Sequence, residues 1–155
     1  MARIEKDQYG EDFFNVDTIV GYQPANNYTN DIIIVQALLK YINEGAKWWA
    51  DSKLPVPNGT LGNFSRIIWE YQGRIRKQGN VNGYWVAQDG RVSPSVGGKY
   101  SFQGGGRYTI MQLNSHASMV GAALGHKYHY IEEIFNRWKV VRYALSSSTR
   151  PLPLP

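Results

Sequence analysis

The chain has 155 residues and no cysteine, a length that suits one domain and a composition that excludes disulfides, thiolate metal sites and cysteine nucleophiles. Its formal net charge of +5 is uneven, because residues 1–60 carry five basic and eight acidic side chains whereas residues 61–155 carry twelve and four. The basic carboxy-terminal part is therefore expected to attract polyanions, although cell-wall polymer, nucleic acid and acidic protein surfaces all meet that requirement.

Residues 1–29 are predicted to form an extended amino-terminal arm. Val16, Thr18 and Val20 alternate with their neighbours as in a short strand, and Gly21 begins a break. The arm is expected to pack either on its own domain or on a neighbouring subunit. It has no apolar run of the kind found in signal sequences, so we expect a cytoplasmic location or export by a leaderless route. No later segment reaches the length of a membrane span.

The first predicted helix begins with the capping residues Thr29 to Asp31 and ends near Gly45. Its apolar residues recur at helical spacing and predict one buried face, formed by Ile32, Val35, Leu38, Leu39 and Ile42. This helix opens a predicted domain that extends over residues 30–145.

Two glycine turns are predicted on either side of a second helix. Asn58-Gly59 and Asp89-Gly90 both favour tight reversals, because Asn, Asp and Gly tolerate the backbone angles that such turns need. Ser65 is the predicted cap of the intervening helix, and Ile68 and Trp69 are predicted to face the core. The cations that follow, Arg74, Arg76 and Lys77, suit either an anionic ligand or a solvated helix end, and the second interpretation is favoured.

The carboxy-terminal half combines a flexible loop, a helix and a tail. Residues 93–106 are rich in glycine and predict a flexible insertion. Residues 130–145 predict a single added helix, with an apolar stripe that includes Ile131, Phe135 and Trp138. Residues 146–155 form a proline-rich tail that favours an extended polyproline conformation.

The order of these elements resembles that of the peptidoglycan-binding-domain-like family. The family signature reads Asp-Gly-x-aromatic-Gly-x-x-Thr, a helix, and then aromatic-Gln, and its positions are matched here by Asn58, Leu61, Ser65 and Tyr71-Gln72. The segment from Val35-Gln36 to Leu39 resembles the Val-Gln-x-Leu-Leu core of the first family helix. The segment from Tyr108 to Asn114 resembles the third family helix, and Asp89-Gly90 begins a partial second copy of the turn.

The resemblance implies a mainly α fold, a compact three-helix bundle with glycine turns. It also implies a non-catalytic module that binds peptidoglycan or another anionic cell-wall polymer, without a cofactor. Candidate ligand contacts lie on or beside the two turns and offer stacking or charged hydrogen bonds; they are Asn58, Arg66, Tyr71, Tyr84, Trp85 and Arg91.

Other functions are weighed against this hypothesis. A structural or interaction subunit remains an open alternative, because the arm, the insertion, the added helix and the proline-rich tail could contact other protein subunits. A nucleic-acid partner has no supporting motif. His126, His129 and Glu133 could share a helical face, but their spacing does not match a zinc signature, so no metal site is predicted.

Overall fold

The computed structural model describes residues 2–82 and 85–145. In this part of the chain, five α-helices and four short β-strands enclose one apolar core. The helices are α1 (Thr29–Ala46), α2 (Phe64–Asn82), α3 (Thr109–Ala123), α4 (Tyr130–Arg137) and α5 (Val140–Ala144). The strands are β1 (Arg3–Lys6), β2 (Asp12–Asn15), β3 (Val20–Gly21) and β4 (Arg91–Val92). The prediction of a mainly helical fold is confirmed.

Helix α1 is the centre of the fold and packs against α3, α4, α5 and β3. Most of its residues are buried, which agrees with a helix that is apolar on nearly all sides. The helix ends at Ala46, one residue beyond the predicted Gly45, and Lys47 follows in the left-handed conformation. Gly45 allows close packing, since a Cβ atom there would lie 2.8 Å from Val120 Cγ1 on α3.

The amino-terminal arm packs on its own domain. Strands β1 and β2 form an antiparallel hairpin in which Arg3 pairs with Asn15 and Lys6 with Asp12. Asn114 of α3 holds the edge of β2, because its Oδ1 accepts from Phe14 N at 2.9 Å and its Nδ2 donates to Phe14 O at 2.9 Å. These two hydrogen bonds hold the described part of the arm on α3 of its own domain.

The strand expected over 16–20 is interrupted by a turn. Asp31 is fully buried in the first turn of α1, and its carboxylate accepts hydrogen bonds from the backbone N–H groups of Asp17 and Thr18 at 2.9 and 3.0 Å. These contacts fix the chain between β2 and β3, so the alternating pattern in this segment does not become one continuous strand.

The glycine-rich insertion is fastened to the amino-terminal hairpin. Gln8 N donates to Gly98 O at 3.0 Å, and Tyr100 N donates to Gln8 Oε1 at 3.0 Å. The Tyr100 hydroxyl donates to Asp7 Oδ2 at 2.8 Å. The two segments that lie outside the family resemblance thus form one hydrogen-bonded layer on the helical core.

The single helix predicted over 130–145 is wrong, because two helices occupy this segment. Helix α4 ends at Arg137, the backbone of Trp138 is extended, and α5 begins at Val140. The predicted apolar stripe nevertheless faces inward, since Ile131, Ile134, Phe135 and Val141 are buried. The break lets α5 pack directly on α1, a tertiary contact that the local pattern does not report. The proline-rich tail, 146–155, lies outside the described residues.

A buried glutamine of α1 holds the first glycine turn. Gln36 Nε2 donates to Asn58 Oδ1 and Thr60 O, both at 3.0 Å. Its Oε1 accepts from Asn58 N and Gly59 N at 2.9 and 3.0 Å. Gly59 adopts a positive φ of 78°, which requires glycine because a Cβ would also collide with Thr29. One side chain therefore satisfies the polar groups of the whole turn.

The second turn is held in the same way by Gln72 of α2. Gln72 Nε2 donates to Arg91 O at 2.8 Å, and its Oε1 accepts from Gly90 N at 2.8 Å. The amide also reaches Asp89 Oδ1 at 3.2 Å and Thr109 Oγ1 at 3.0 Å, so it joins the turn to the first residue of α3. The two predicted turns bracket α2 and are fixed by equivalent contacts.

We expect Gln72→Leu to lower the free energy of unfolding by roughly 2–4 kcal/mol, because the buried polar groups of the turn would lose their partner. Urea unfolding followed by tryptophan fluorescence measures this change. Gln78→Leu, on the exposed side of the same helix, is the matched control and should change stability by less than about 0.5 kcal/mol. Equal stability of the two variants would contradict the role assigned to Gln72.

Candidate functional site

A groove with a volume of about 630 Å³ runs along α2. Residues of α2 that recur at helical spacing form one wall, and Trp48 and Gln88 form the other. The lining residues are Trp48, Trp69, Glu70, Gly73, Arg74, Lys77, Gln78 and Gln88. This "α2 groove" combines aromatic, amide and cationic side chains on a rigid helix.

Two tryptophan rings with adjacent guanidinium groups form the aromatic part of the α2 groove. Trp69 is 36% exposed, and Arg66 Cζ lies 4.7 Å from the centroid of its ring. Trp48 is half-buried, and Arg74 Cζ lies 5.1 Å from its ring centroid. A cation over an indole face is attracted by the ring quadrupole, so these contacts hold positive charge at the groove.

The wall opposite α2 is fixed by the end of α1. Asn43 donates from Nδ2 to Trp49 O at 3.0 Å and accepts at Oδ1 from Trp49 N at 3.1 Å. The adjacent Trp48 and Trp49 rings meet edge to face, with centroids 6.0 Å apart. The Trp49 indole N–H also reaches Glu70 Oε1 at 3.4 Å. The tryptophan pair is thus positioned before any ligand binds.

Gly73 allows Gln88 to approach α2 closely. A Cβ at position 73 would lie 2.5 Å from Gln88 Nε2, so any larger residue would displace this side chain. Gln88 Nε2 donates to Trp69 O at 3.2 Å. The groove therefore depends on a glycine in the middle of a helix, a position where glycine costs about 0.5–1 kcal/mol relative to alanine.

A half-buried histidine packs against Trp48. The His116 ring centroid is 5.4 Å from that of Trp48, and His116 Nδ1 is 3.1 Å from the Tyr71 hydroxyl oxygen. Burial lowers the pKa of His116 below its ordinary value of 6.5. The imidazole is therefore neutral at pH 7 and adds no charge to the cationic side of the groove.

The structure corrects two assignments made from the sequence. Tyr71, predicted to contact ligand, is fully buried and belongs to the core. Trp69, predicted to lie in the core, is exposed on the α2 groove, whereas Ile68 is buried as predicted. The inward face of α2 is formed by Ile68, Tyr71 and Ile75, and the helical turn places Trp69 on the outward side.

The other predicted contacts lie at different places. Arg66 is exposed and borders the α2 groove through Trp69. Asn58 is exposed, but its Oδ1 is engaged by Gln36. Arg91 lines a smaller cavity of about 200 Å³ beside the second turn, and its Nη1 donates to Gln23 O at 3.2 Å. Trp85 is 41% exposed and packs against Phe102. Tyr84 lies outside the described residues.

Trp48, Gly73 and Gln88 complete the α2 groove and were not predicted from the sequence, whereas Arg74 and Lys77 were considered for an anionic ligand. The recurrence of Trp69, Gly73 and Lys77 at intervals of four residues was a usable signal, because it places them on one helical face. No local signal predicts that Trp48 faces α2, since its position depends on the contacts between Asn43 and Trp49.

The three residues considered for a metal site have other partners. His126 Nδ1 is 2.7 Å from the Tyr41 hydroxyl oxygen, and His129 Nδ1 accepts from Ile131 N at 3.3 Å. Glu133 accepts from Arg137 Nη1 at 2.8 Å. Within residues 2–82 and 85–145, no cluster of three potential metal ligands is found.

Comparison with known proteins gives no relative. No family model matches this chain, and no curated protein or solved structure is significantly similar to it. Among the described helices, none is both long and apolar enough to cross a bilayer. Function must therefore be argued from the α2 groove and from the residues that carry the family resemblance.

We expect the wild type to lose stability as the pH falls from about 7.5 to about 5.5. Because burial lowers the pKa of His116, the unfolded chain takes up this proton at a higher pH than the folded chain does. The resulting stabilisation is complete above the unfolded pKa and is lost as the pH falls towards the folded value. His116→Gln should flatten this part of the pH profile, measured by urea unfolding. A loss of stability over this pH range that is as large in His116→Gln as in the wild type would contradict this assignment.

Proposed function

We propose that this protein is a non-catalytic module that binds peptidoglycan or a related anionic cell-wall polymer through the α2 groove. The observation that carries the proposal is that one groove is lined by the exposed indole of Trp69, the half-buried indole of Trp48 and the cations Arg74 and Lys77. Within the described residues, neither Arg74 nor Lys77 takes part in a salt bridge. Their charge is therefore available to a ligand.

The side chains of the α2 groove suit a sugar polymer that carries carboxylates. The apolar face of a pyranose ring can stack on the exposed surface of Trp69, as apolar surfaces do on aromatic rings. Hydroxyl and amide groups of the polymer can bond to Gln78 and Gln88. Carboxylates, in peptidoglycan those of the peptide stems, can pair with Arg74 and with Lys77 on the α2 wall of the groove.

The proposed kinship with peptidoglycan-binding-domain-like proteins is supported by the two buried glutamines. Gln36 and Gln72 both belong to the segments that carry the resemblance, and each holds one glycine turn through equivalent hydrogen bonds. Two separate parts of the motif thus hold two glycine turns in the same way. A chance resemblance in sequence would give no reason to expect these equivalent contacts.

Binding without catalysis is supported by the carboxylates of the α2 groove. Glu70 is the one carboxylate among the described lining residues, and its Oε1 lies 3.4 Å from the Trp49 indole nitrogen. Hydrolysis of a glycosidic bond generally requires two carboxylic groups at a defined separation. The groove therefore offers recognition chemistry in preference to acid–base chemistry.

We expect Trp69→Ala to weaken binding to insoluble peptidoglycan at least about tenfold, or roughly 1.4 kcal/mol, through loss of the exposed stacking surface. Co-sedimentation at low and at physiological salt measures the bound fraction. Tyr143→Ala removes an aromatic ring that is 65% exposed on α5, and this control should bind like the wild type. A wild type that stays in the supernatant at low salt would overturn the proposal.

The alternative function, an interaction subunit of a larger assembly, leads to a different expectation. Two of the additions that motivated it, the amino-terminal hairpin and the glycine-rich insertion, are hydrogen-bonded to each other within this domain. We therefore expect light scattering to give the mass of one chain at micromolar concentration. A stable large oligomer would favour the interaction subunit over the wall-binding module.

A further inference from the structure

A second aromatic cavity lies next to the α2 groove. It has a volume of about 340 Å³ and is bounded by the end of α1, the chain that follows it and the junction between α4 and α5. Two indole rings, those of Trp49 and Trp138, contribute to its lining, together with Lys40, Asn43, Glu44, Lys47 and Asp51. We refer to it as the "α1 cavity".

Consecutive residues connect the two sites. Trp48 lines the α2 groove, and Trp49 lines the α1 cavity. The Trp49 N–H reaches Glu70, a lining residue of the α2 groove, so this indole forms a wall between the two sites. Of the five tryptophans in the chain, four line these two sites, namely Trp48, Trp49, Trp69 and Trp138.

Both carboxylates that line the α1 cavity are paired, which leaves Lys47 as the lining cation that can meet an anionic ligand. Glu44 is already paired with Arg137, at 2.7 and 2.9 Å, and Asp51 is paired with Lys40 at 3.2 Å. Lys47 is exposed, and no salt bridge within the described residues includes it. The α1 cavity therefore repeats the chemistry of the α2 groove, which is indole surface beside an available cation.

We propose that the α1 cavity is a second subsite for the same polymer, so that one anionic glycan strand is bound across the Trp48–Trp49 pair. Each subsite takes a pyranose ring that carries or adjoins a carboxylate, with Lys47 as the cation of the second subsite. This inference rests on the proposed function and adds a requirement for ligand length.

Adjacent subsites should make affinity depend on the length of the strand. Once a strand occupies the α2 groove, its next units are held at high effective concentration beside the α1 cavity, because only one pair of side chains separates the two. A fragment too short to span both gains nothing from the second subsite. Chain-length dependence is thus the property that distinguishes two linked subsites from a single groove.

The test is a calorimetric titration of the full chain with soluble peptidoglycan fragments of about two and about eight sugar units. We expect the longer fragment to bind at least about tenfold more tightly to the wild type. Lys47→Asn should remove most of this gain and leave binding of the short fragment unchanged. Asn tolerates the left-handed conformation that Lys47 adopts with φ 54°, so the end of α1 is preserved.

Two further variants complete the experiment. Trp138→Ala should also remove the length dependence, and its thermal unfolding reports whether the α4–α5 junction has remained folded. Lys127→Asn changes an exposed lysine that lines neither site, and it should retain the full gain.

The outcomes separate this inference from the proposed function. Equal affinity of the wild type for both fragments, or a retained gain in Lys47→Asn, overturns the second subsite while the α2 groove stands. Two outcomes overturn the α2 groove and the second subsite together. In the first, the wild type binds neither fragment. In the second, Trp69→Ala binds each fragment as tightly as the wild type does.

Discussion

The fold depends on two buried amide side chains. Gln36 and Gln72 each satisfy the backbone groups of a glycine turn, and a polar group left unpaired in this interior would cost about 1–3 kcal/mol. Because Gln72 also contacts Thr109, the second of these side chains fixes the start of α3 relative to α2. These inward contacts fix the position of α2, and the candidate groove lies on the outward face of that helix.

Local chemistry predicted the elements whose determinants are close in sequence. The apolar spacing of α1 and the Asn58-Gly59 and Asp89-Gly90 turns could be recognised, because propensity and packing agree there. The predicted cap of α1 is wrong, because Tyr28 occupies the N-cap position without a side-chain cap bond and Asp31 bonds to the chain before the helix. Trp69 was misassigned because large aromatic residues are usually buried, whereas its spacing with Gly73 and Lys77 places it on the outward face of α2. The break between α4 and α5 at Trp138 was not predicted, because no glycine or proline lies there. It is accompanied by packing of α5 on α1.

The candidate site was less predictable than the fold because it is assembled from distant segments. Trp48 and Gln88 lie on opposite sides of α2 in the sequence, and each is placed by a contact that no spacing rule describes. The glycine-rich insertion was predicted to be flexible from its composition, yet Asp7 and Gln8 bind it through Tyr100. Composition indicates how flexible a segment would be in isolation, but it does not show which hydrogen-bond partners fix the segment in the folded protein.

The bond between β2 and α3 also determines how this chain can be made. Phe14 finds its partner on Asn114, one hundred residues later, so the hairpin cannot acquire its final support until most of the polypeptide has left the ribosome. Contacts of such long sequence separation slow folding, because a large loop must close before they form. The β1–β2 hairpin is therefore expected to be secured late in folding, after α3 has formed.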